Sequence, residues 1–575
     1  MIGKLVLKFG SGTLGSTLEF EPGPVTVFVG PNNSGKSLLL REIETYTSMG
    51  GEGDFKAVDW IEPEIPESEE VERLLLSRRF DSPDLDSYYG RVTPGYTRIG
   101  KVDLTADPDT GRLTVQAWHV NLEYVRSSLR TAEDTPVVLR EDVNARKTVF
   151  GSFVSLFTVR LDGGARLNLT RQRPSGDLQD RARNHLWSLA KDDDARVRLR
   201  HITQDAFGRY FLLDPTGMQF FRVRMSETEP PPGVELSLAT GSREFLKQAT
   251  DIADLSDGIK AFTGLAAAVL SADYRVMLID EPEAFLHPVL AKKLGRRLTE
   301  IASERGGNVL AATHSPDFLM GCVETGTVNV VRLTFQNGKA TARHLPSDQL
   351  RQMMRVPLLR STGVLGGLFH EGVVVCEADT DRAIYQEVNQ RLSMSERSAA
   401  KNTLFMNAHE KSTVRRIVEP LRGMGIPAAA VVDLDIIKNR DFNDLLKTAH
   451  VPNALIESWN TLRSRTKDKF EEMGLDMKES GIQALPEAER EAAQTLLDGI
   501  AEYGVFVVPR GELEQWFSQL HGRSDRPTKS RWVPWVLDLM NTDPGLFGVT
   551  DDDVWGFVSK IADWISDPER KGIPT

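Results

Sequence analysis

The sequence predicts an α/β protein built in two parts, and three observations predict it. A β-rich run, Val25-Thr26-Val27-Phe28-Val29, passes through a glycine-containing loop straight into a helical pattern at 38–43. After about residue 345, apolar runs at 372–376, 403–406, 428–432 and 505–508 alternate with helical patterns, the signature of a mainly parallel sheet. The length of 575 residues also exceeds what one core holds, since domains rarely grow past roughly 250 residues.

Composition sets the outer bounds. Hydrophobic residues make up 40% and charged residues 26%, ordinary for a globular chain, so neither disorder nor a fibrous class is expected. The opening Met1-Ile2-Gly3-Lys4-Leu5-Val6-Leu7-Lys8-Phe9 alternates like a strand and lacks the apolar core of an export signal. The most apolar internal stretch, 261–280, carries Asp273 and Arg275 and falls short of the ~20 apolar residues of a membrane span. Cys322 and Cys376 are too few for a disulfide framework or a zinc site. A soluble, cytoplasmic protein with no membrane partner is expected. The net charge of −12 argues against coating nucleic acid by bulk electrostatics, so any DNA site must be local. The basic stretch containing Arg171, Arg173, Arg181, Arg183, Arg196, Arg198, Arg200 and His201 reads as a solvated strand face, with a DNA-binding surface as its alternative.

The loop after the first run is Gly30-Pro31-Asn32-Asn33-Ser34-Gly35-Lys36-Ser37. This is a P-loop between strand and helix. Backbone N–H groups from Asn32, Asn33, Ser34 and Gly35 can wrap phosphates, Lys36 supplies positive charge to the β/γ oxygens, and the Ser37 hydroxyl can ligate Mg²⁺, so ATP is the expected ligand. Far downstream, Val276-Met277-Leu278-Ile279-Asp280-Glu281-Pro282 is an apolar strand ending in two acids. Asp280 suits Mg²⁺ held through water, and Glu281 suits polarising the attacking water. His314, just past the apolar run 308–312, fits a γ-phosphate sensor. Ser256 and Gly258 would open a helix whose N–H groups point at a phosphate.

Leu255-Ser256-Asp257-Gly258-Ile259-Lys260 resembles the signature motif of ABC-type ATPases, in the subgroup that contains the SMC, RecF and OLD proteins. Glu281-Pro282-Glu283-Ala284-Phe285-Leu286-His287-Pro288 and Thr313-His314-Ser315-Pro316 resemble the same subgroup around its Walker B acids and switch histidine. The resemblance implies an ABC-type P-loop ATPase domain at 1–345; the long polar stretch between its motifs, flanked by the Pro-containing segments 62–67 and 229–233, reads as an inserted α+β region at about 51–240. The resemblance also implies that Ser256 and Gly258 complete a partner's ATP site, hence a homodimer or higher homo-oligomer. Gln116 is the one candidate for the glutamine loop.

In the second part, Glu377-Ala378-Asp379-Thr380-Asp381 follows one apolar run and Asp433-Leu434-Asp435 follows another. Both sets sit where strands end, the place where open α/β sheets bind ligands, and strand alternation sends Asp433 and Asp435 to one side. Carboxylates without a His or Cys cluster suit Mg²⁺ or Mn²⁺ and phosphodiester hydrolysis. The combination resembles the Toprim domain, whose pattern is Glu-Gly-x-x-Asp after one strand and Asp-x-Asp after another. The match falls on Glu377, Asp381, Asp433 and Asp435. Ala378 stands where the pattern has glycine, which predicts an altered turn beside Glu377. Lys411 and Gly511-Glu512-Leu513-Glu514 resemble OLD nucleases; this implies that Lys411 steadies the scissile phosphate and that Glu514 is a further metal-facing carboxylate. The alternatives are a surface lysine and helix-start acids.

The motifs of the two parts together resemble the Overcoming Lysogenization Defect (OLD) family, with a Toprim-like parallel-sheet α/β domain at 371–520; the sequence pattern adds a linker at 346–370, a helical insertion at about 439–503 and a tail of small surface helices at 521–575. The implied function is an ATP-regulated, divalent-metal-dependent DNA endonuclease or nickase in bacterial anti-phage defence or DNA processing. The alternative is a non-cleaving ABC-type clamp whose Toprim-like domain scaffolds nucleic acid or a separate effector protein. A topoisomerase is disfavoured because no tyrosine follows Tyr503, and a zinc-bearing primase because cysteines are lacking.

Overall fold

A computed structural model describes every residue except 12–15, 81–85, 103, 105–114, 272–273, 327, 337, 346, 551–552 and 575. The chain divides into two compact units, Met1–Arg351 and Gln352–Thr575. No helix among the described residues is long and apolar enough to cross a membrane.

The first unit is organised by a six-stranded sheet in the order Lys339–Leu345, Val328–Gln336, Val25–Val29, Asn308–Ala312, Val276–Asp280, Thr158–Leu161. Its pairings are parallel except for the outer hairpin of Val328–Gln336 with Lys339–Leu345. Parallel strands covered on both faces read as unbroken apolar runs, and every residue of Val25–Val29 and Asn308–Ala312 is buried. Register brings three strand ends together: Thr313 N–H donates to Phe28 O at 3.1 Å and Glu281 N–H to Ala312 O at 2.8 Å. The span 51–240, expected as an insertion, is interleaved with this framework. It supplies Val58–Pro63, which pairs with Ile2–Leu7 in a small antiparallel sheet, and Thr158–Leu161, the edge strand beside Val276–Asp280. Thr-Val-Arg-Leu is too short and too polar to announce itself as a sheet strand. Of the strand expected over 112–118, residues 112–114 lie outside the described ones, and Val115–Val120 pairs with Thr97–Val102.

The second unit holds a four-stranded parallel sheet in the order Thr403–Asn407, Gly372–Cys376, Ala428–Val432, Val505–Val507. Helices Asp379–Met394 and Lys411–Gly423 make the first crossovers. The third crossover is a helical excursion through Asp441–Thr448, Asn453–Glu472, Met477–Ser480 and Glu487–Ala501. The segment expected as a linker is itself helical, with Pro357–Ser361 and a 3₁₀ turn at Val364–Phe369. The tail differs from its expectation as surface decoration. Helices Lys529–Thr542 and Asp553–Ser566 put Trp532, Val536, Val558 and Ile561 into the core with Ile384 and Tyr385. Spacings of three and four residues give each an apolar face that must be covered. Gly372 records how closely the last helix approaches, since a Cβ there would lie 2.5 Å from the Ile565 side chain.

Candidate functional site

The P-loop hangs from the end of strand Val25–Val29. Its path needs glycine: Gly30 has φ 144° and a Cβ there would sit 2.0 Å from the Leu333 carbonyl oxygen, while Gly35, at φ 89°, opens the helix Lys36–Met49. Asn32 and Asn33 are exposed on the loop and Ser34 is buried. The buried Lys36 ammonium donates to Gly30 O at 2.7 Å, Pro31 O at 2.8 Å and Ser34 Oγ at 3.2 Å. Burial pushes it down to about 8 against the pull of Glu283, Asp280 and Glu281. An ammonium that has given up most of its water gains from an anion, and phosphate oxygens can replace the loop carbonyls.

Ser37 Oγ donates to Asp280 Oδ1 at 2.9 Å, and burial pushes the Asp280 carboxyl up. Glu281 follows, exposed and left-handed at φ 49°. A glutamate persists in that region only where its surroundings enforce it. Here the enforcing group is Arg166, fully buried, which donates to the main-chain carbonyls of both Asp280 and Glu281. Glu283 Oε1 accepts the His314 N–H at 2.7 Å, and burial, with Lys36 adding, holds the His314 imidazole below its usual range. Lys36, Ser37, Asp280, Glu281 and His314 thus converge. Ser256 and Gly258 open the helix Asp257–Ser271, which packs on helices Ala165–Asn168, His185–Lys191, Asp193–Phe207 and Pro288–Arg305. Among the described residues, no hydrogen bond or ion pair joins either to the P-loop. Gln116 lies in the two-stranded hairpin, outside the sheet that carries the P-loop. The basic stretch, expected as a strand face, has its later part on helix Asp193–Phe207, where Arg196 and Arg200 meet Glu235 at 3.1 and 2.6 Å and Arg198 meets Glu304.

In the second unit, the ends of Gly372–Cys376 and Ala428–Val432 bring Glu377, Asp433 and Asp435 together, one carboxylate oxygen from each lying within 4.8 Å of the others. Glu377 Oε1 also accepts the Asp433 N–H at 3.0 Å. Ala378 has φ −126° and ψ 167°, extended backbone that any residue adopts, so the missing glycine distorts nothing here. Asp381 is turned partly to another task, accepting the Ala378 N–H at 3.1 Å at the start of its helix. Burial, reinforced by Asp433, pushes both Glu377 and Asp381 up to about 7. Glu514 sits in a 3₁₀ turn, its carboxyl pushed up by burial, with Lys529 at 3.7 Å. Lys411, the first residue of its helix, contacts Asp435 and lies 3.8 Å from Glu377.

Sequence reasoning missed Lys478. From the short helix Met477–Ser480 in the excursion, its ammonium reaches Asp433 at 2.7 Å and Asp435 at 3.8 Å. Two lysines therefore balance carboxylates that otherwise repel one another. The ligand atoms that converge here are all carboxylate oxygens, which fits a hard divalent cation. Metal binding requires the proton to leave Glu377, so Mn²⁺ affinity should climb by up to about tenfold per pH unit below about pH 7 and level off above it. Calorimetric titration with Mn²⁺ checks this. An affinity that stays flat from about pH 6 to 8 would show that metal binding displaces no proton from Glu377 in that range.

Comparison with known proteins bears on both units. Residues 25–320 match the family described as "AAA domain, putative AbiEii toxin, Type IV TA system". Residues 368–435 match the "Overcoming lysogenization defect protein-like, TOPRIM domain". Among solved structures, the chain is similar to an Smc head bound to the C-terminal winged-helix domain of ScpA, at 12% identity and TM-score 0.34, covering 61% of this chain and 99% of that one. It is also similar to the SMC head domain from Thermotoga maritima, at 16% identity and TM-score 0.28, covering 60% and 98%. A third, an Smc head domain with an extended coiled coil bound to the C-terminal domain of ScpA derived from Pyrococcus furiosus, gives 12% identity and TM-score 0.29, covering 62% and 98%. At scores this low the likenesses carry no functional argument. No curated protein matches the chain significantly.

Proposed function

This chain belongs to the OLD-type fusions of a P-loop ATPase domain with a Toprim domain, and from that premise we propose that it is an ATP-regulated, divalent-metal-dependent DNA endonuclease or nickase. One observation carries the reading: three carboxylates, Glu377, Asp433 and Asp435, converge at adjoining strand ends. They would hold Mg²⁺ or Mn²⁺, which activates water and neutralises charge on a phosphodiester. Lys411 and Lys478, released from the carboxylates once these take a metal, can donate to the nonbridging oxygens of the scissile phosphate. Asp381 and Glu514 border the cluster and support its charge. A cleavage assay of purified protein on supercoiled, linear and single-stranded DNA, with and without ATP and Mn²⁺, tests the reading. Metal-dependent nicking of at least one form is expected; no cleavage of any form under any condition would refute it. The same assay separates this reading from a non-cleaving clamp, whose Toprim-like domain would scaffold nucleic acid or a separate effector protein.

In the ATPase domain, Lys36 and the loop amides of Asn32, Asn33, Ser34 and Gly35 bind the phosphates, Ser37 and Asp280 hold Mg²⁺, Glu281 orients water, and His314 senses the γ-phosphate. Arg166 fixes the turn that aims Glu281. Ser256 and Gly258, exposed or half-exposed, would serve the neighbouring protomer. Phe285 and Val289, 56% and 59% exposed beside the Walker B acids, are large apolar groups suited to being covered in that contact. ATP should therefore drive a homodimer, the simplest closed assembly. Light scattering on Glu281→Gln with ATP should give twice the monomer mass, and a monomer at every concentration would contradict it. A role in bacterial defence or DNA processing is consistent with this chemistry.

A further inference from the structure

A second feature of the Toprim unit lies beside the carboxylates and serves none of the roles already assigned. Strand Thr403–Asn407 is the edge of the four-stranded sheet. Along it runs a groove of about 440 Å³, between that strand and the segment 361–370. Ser361, Thr362, His370, Arg382, Asn407 and His409 line it over an apolar floor at 404–406. In a chain with 82 acidic residues and a net charge of −12, a groove lined with two histidines and an arginine, and with no carboxylate among its described lining residues, is shaped for an anion.

Its position gives the anion an identity. Arg382 Nε and Asn407 Nδ2 donate to Asp379 Oδ1 at 2.7 and 3.1 Å, and Asp379 is two residues past Glu377. His409 is two residues before Lys411, which contacts Asp435. Asp379 and Arg382 thus neutralise each other, and Arg382 also donates to Gln386 Oε1 at 2.9 Å; a phosphate would take the guanidinium over from Asp379, and one end of the groove adjoins the metal-binding carboxylates. We propose that this groove holds the sugar–phosphate backbone of the strand being cut, immediately flanking the phosphate at Glu377, Asp433 and Asp435. The inference rests on the nuclease reading and deepens it. The arginine and polar side chains meet phosphate oxygens, and the apolar floor takes sugar or base, the combination by which single strands are tracked without sequence readout. A chain this acidic has to concentrate its nucleic-acid affinity in such a place.

The test uses the full chain, comparing wild type with the double variant Arg382→Glu/His409→Glu and with Arg382→Lys. Anisotropy of a labelled single-stranded oligonucleotide is followed across a salt series in Ca²⁺, alongside nicking in Mn²⁺ and ATP hydrolysis. The double variant should bind at least about tenfold more weakly, with a salt slope smaller by about 0.7 for each phosphate that the groove no longer neutralises. Its KM for nicking should rise more than its kcat falls, Arg382→Lys should recover most of the affinity, and ATP hydrolysis should not change. If the wild type nicks and the double variant binds with the same affinity and slope, the groove assignment fails and the nuclease reading stands. If the wild type never nicks, the nuclease reading fails and takes this inference with it. Polyglutamate displacing the oligonucleotide at equal charge would assign the groove to acidic peptides and overturn the proposal.

Discussion

Replacing Asp433 with alanine should lower metal-dependent nicking by at least about 100-fold, more than the loss of an outer-shell partner would cause, while ATP hydrolysis is largely retained. The substitution removes one of three converging carboxylates but keeps the backbone N–H that Glu377 accepts at 3.0 Å, so the strand ends stay aligned. Glu377→Ala should lose as much activity and is less clean, because it also strips that N–H of its acceptor. Asp433→Asn, with the same shape and no charge, should behave like the alanine if the role is metal binding. Glu514→Ala should cost less, since Glu514 borders the cluster rather than joining it. Conversion of supercoiled to open-circular plasmid in Mn²⁺, measured beside phosphate release from ATP, reads both halves. Equal nicking by wild type and Asp433→Ala would show that cleavage does not pass through this cluster.

The ATP site should divide in the opposite sense. Lys36→Ala removes the buried cation of the P-loop and should weaken ATP binding by roughly 100-fold, the scale of losing charge-assisted hydrogen bonds to phosphate. Glu281→Gln leaves the loop, Ser37 and Asp280 in place, so it should bind ATP normally and hydrolyse it about 100- to 10,000-fold more slowly, as expected for a lost general base. Nucleotide binding by fluorescence and turnover by phosphate release separate the two. Unchanged turnover in both variants would overturn the assignment.

Much of the two sites was legible because their motifs are local. A buried parallel strand that ends in a polar group writes strand, turn and acid into about ten consecutive residues, as at 25–37, 276–281 and 373–381. What was illegible depends on distant stretches of chain meeting in space. Lys478 reaches Asp433 across 45 residues, and Arg166 reaches Asp280 and Glu281 across more than a hundred; nothing in their neighbourhoods differs from an ordinary surface lysine or a loop arginine. Thr158–Leu161 was hidden inside the span 51–240 because an edge strand needs only part of the apolar content of a central one. The tail helices were underestimated because Trp532 and Val536 look like surface residues until the sheet face they cover is known. Ala378 taught the reverse lesson: a missing glycine signals strain only where φ is positive, and here it is not.

If Glu377, Asp433 and Asp435 form one divalent-metal site for phosphodiester cleavage, the anomalous diffraction signal of Mn²⁺ from crystals of the wild-type protein will locate it. The expected result is a peak within coordination distance of all three carboxylates, with Lys478 withdrawn from Asp433. A peak elsewhere only, with Lys478 still bonded to Asp433, would contradict it.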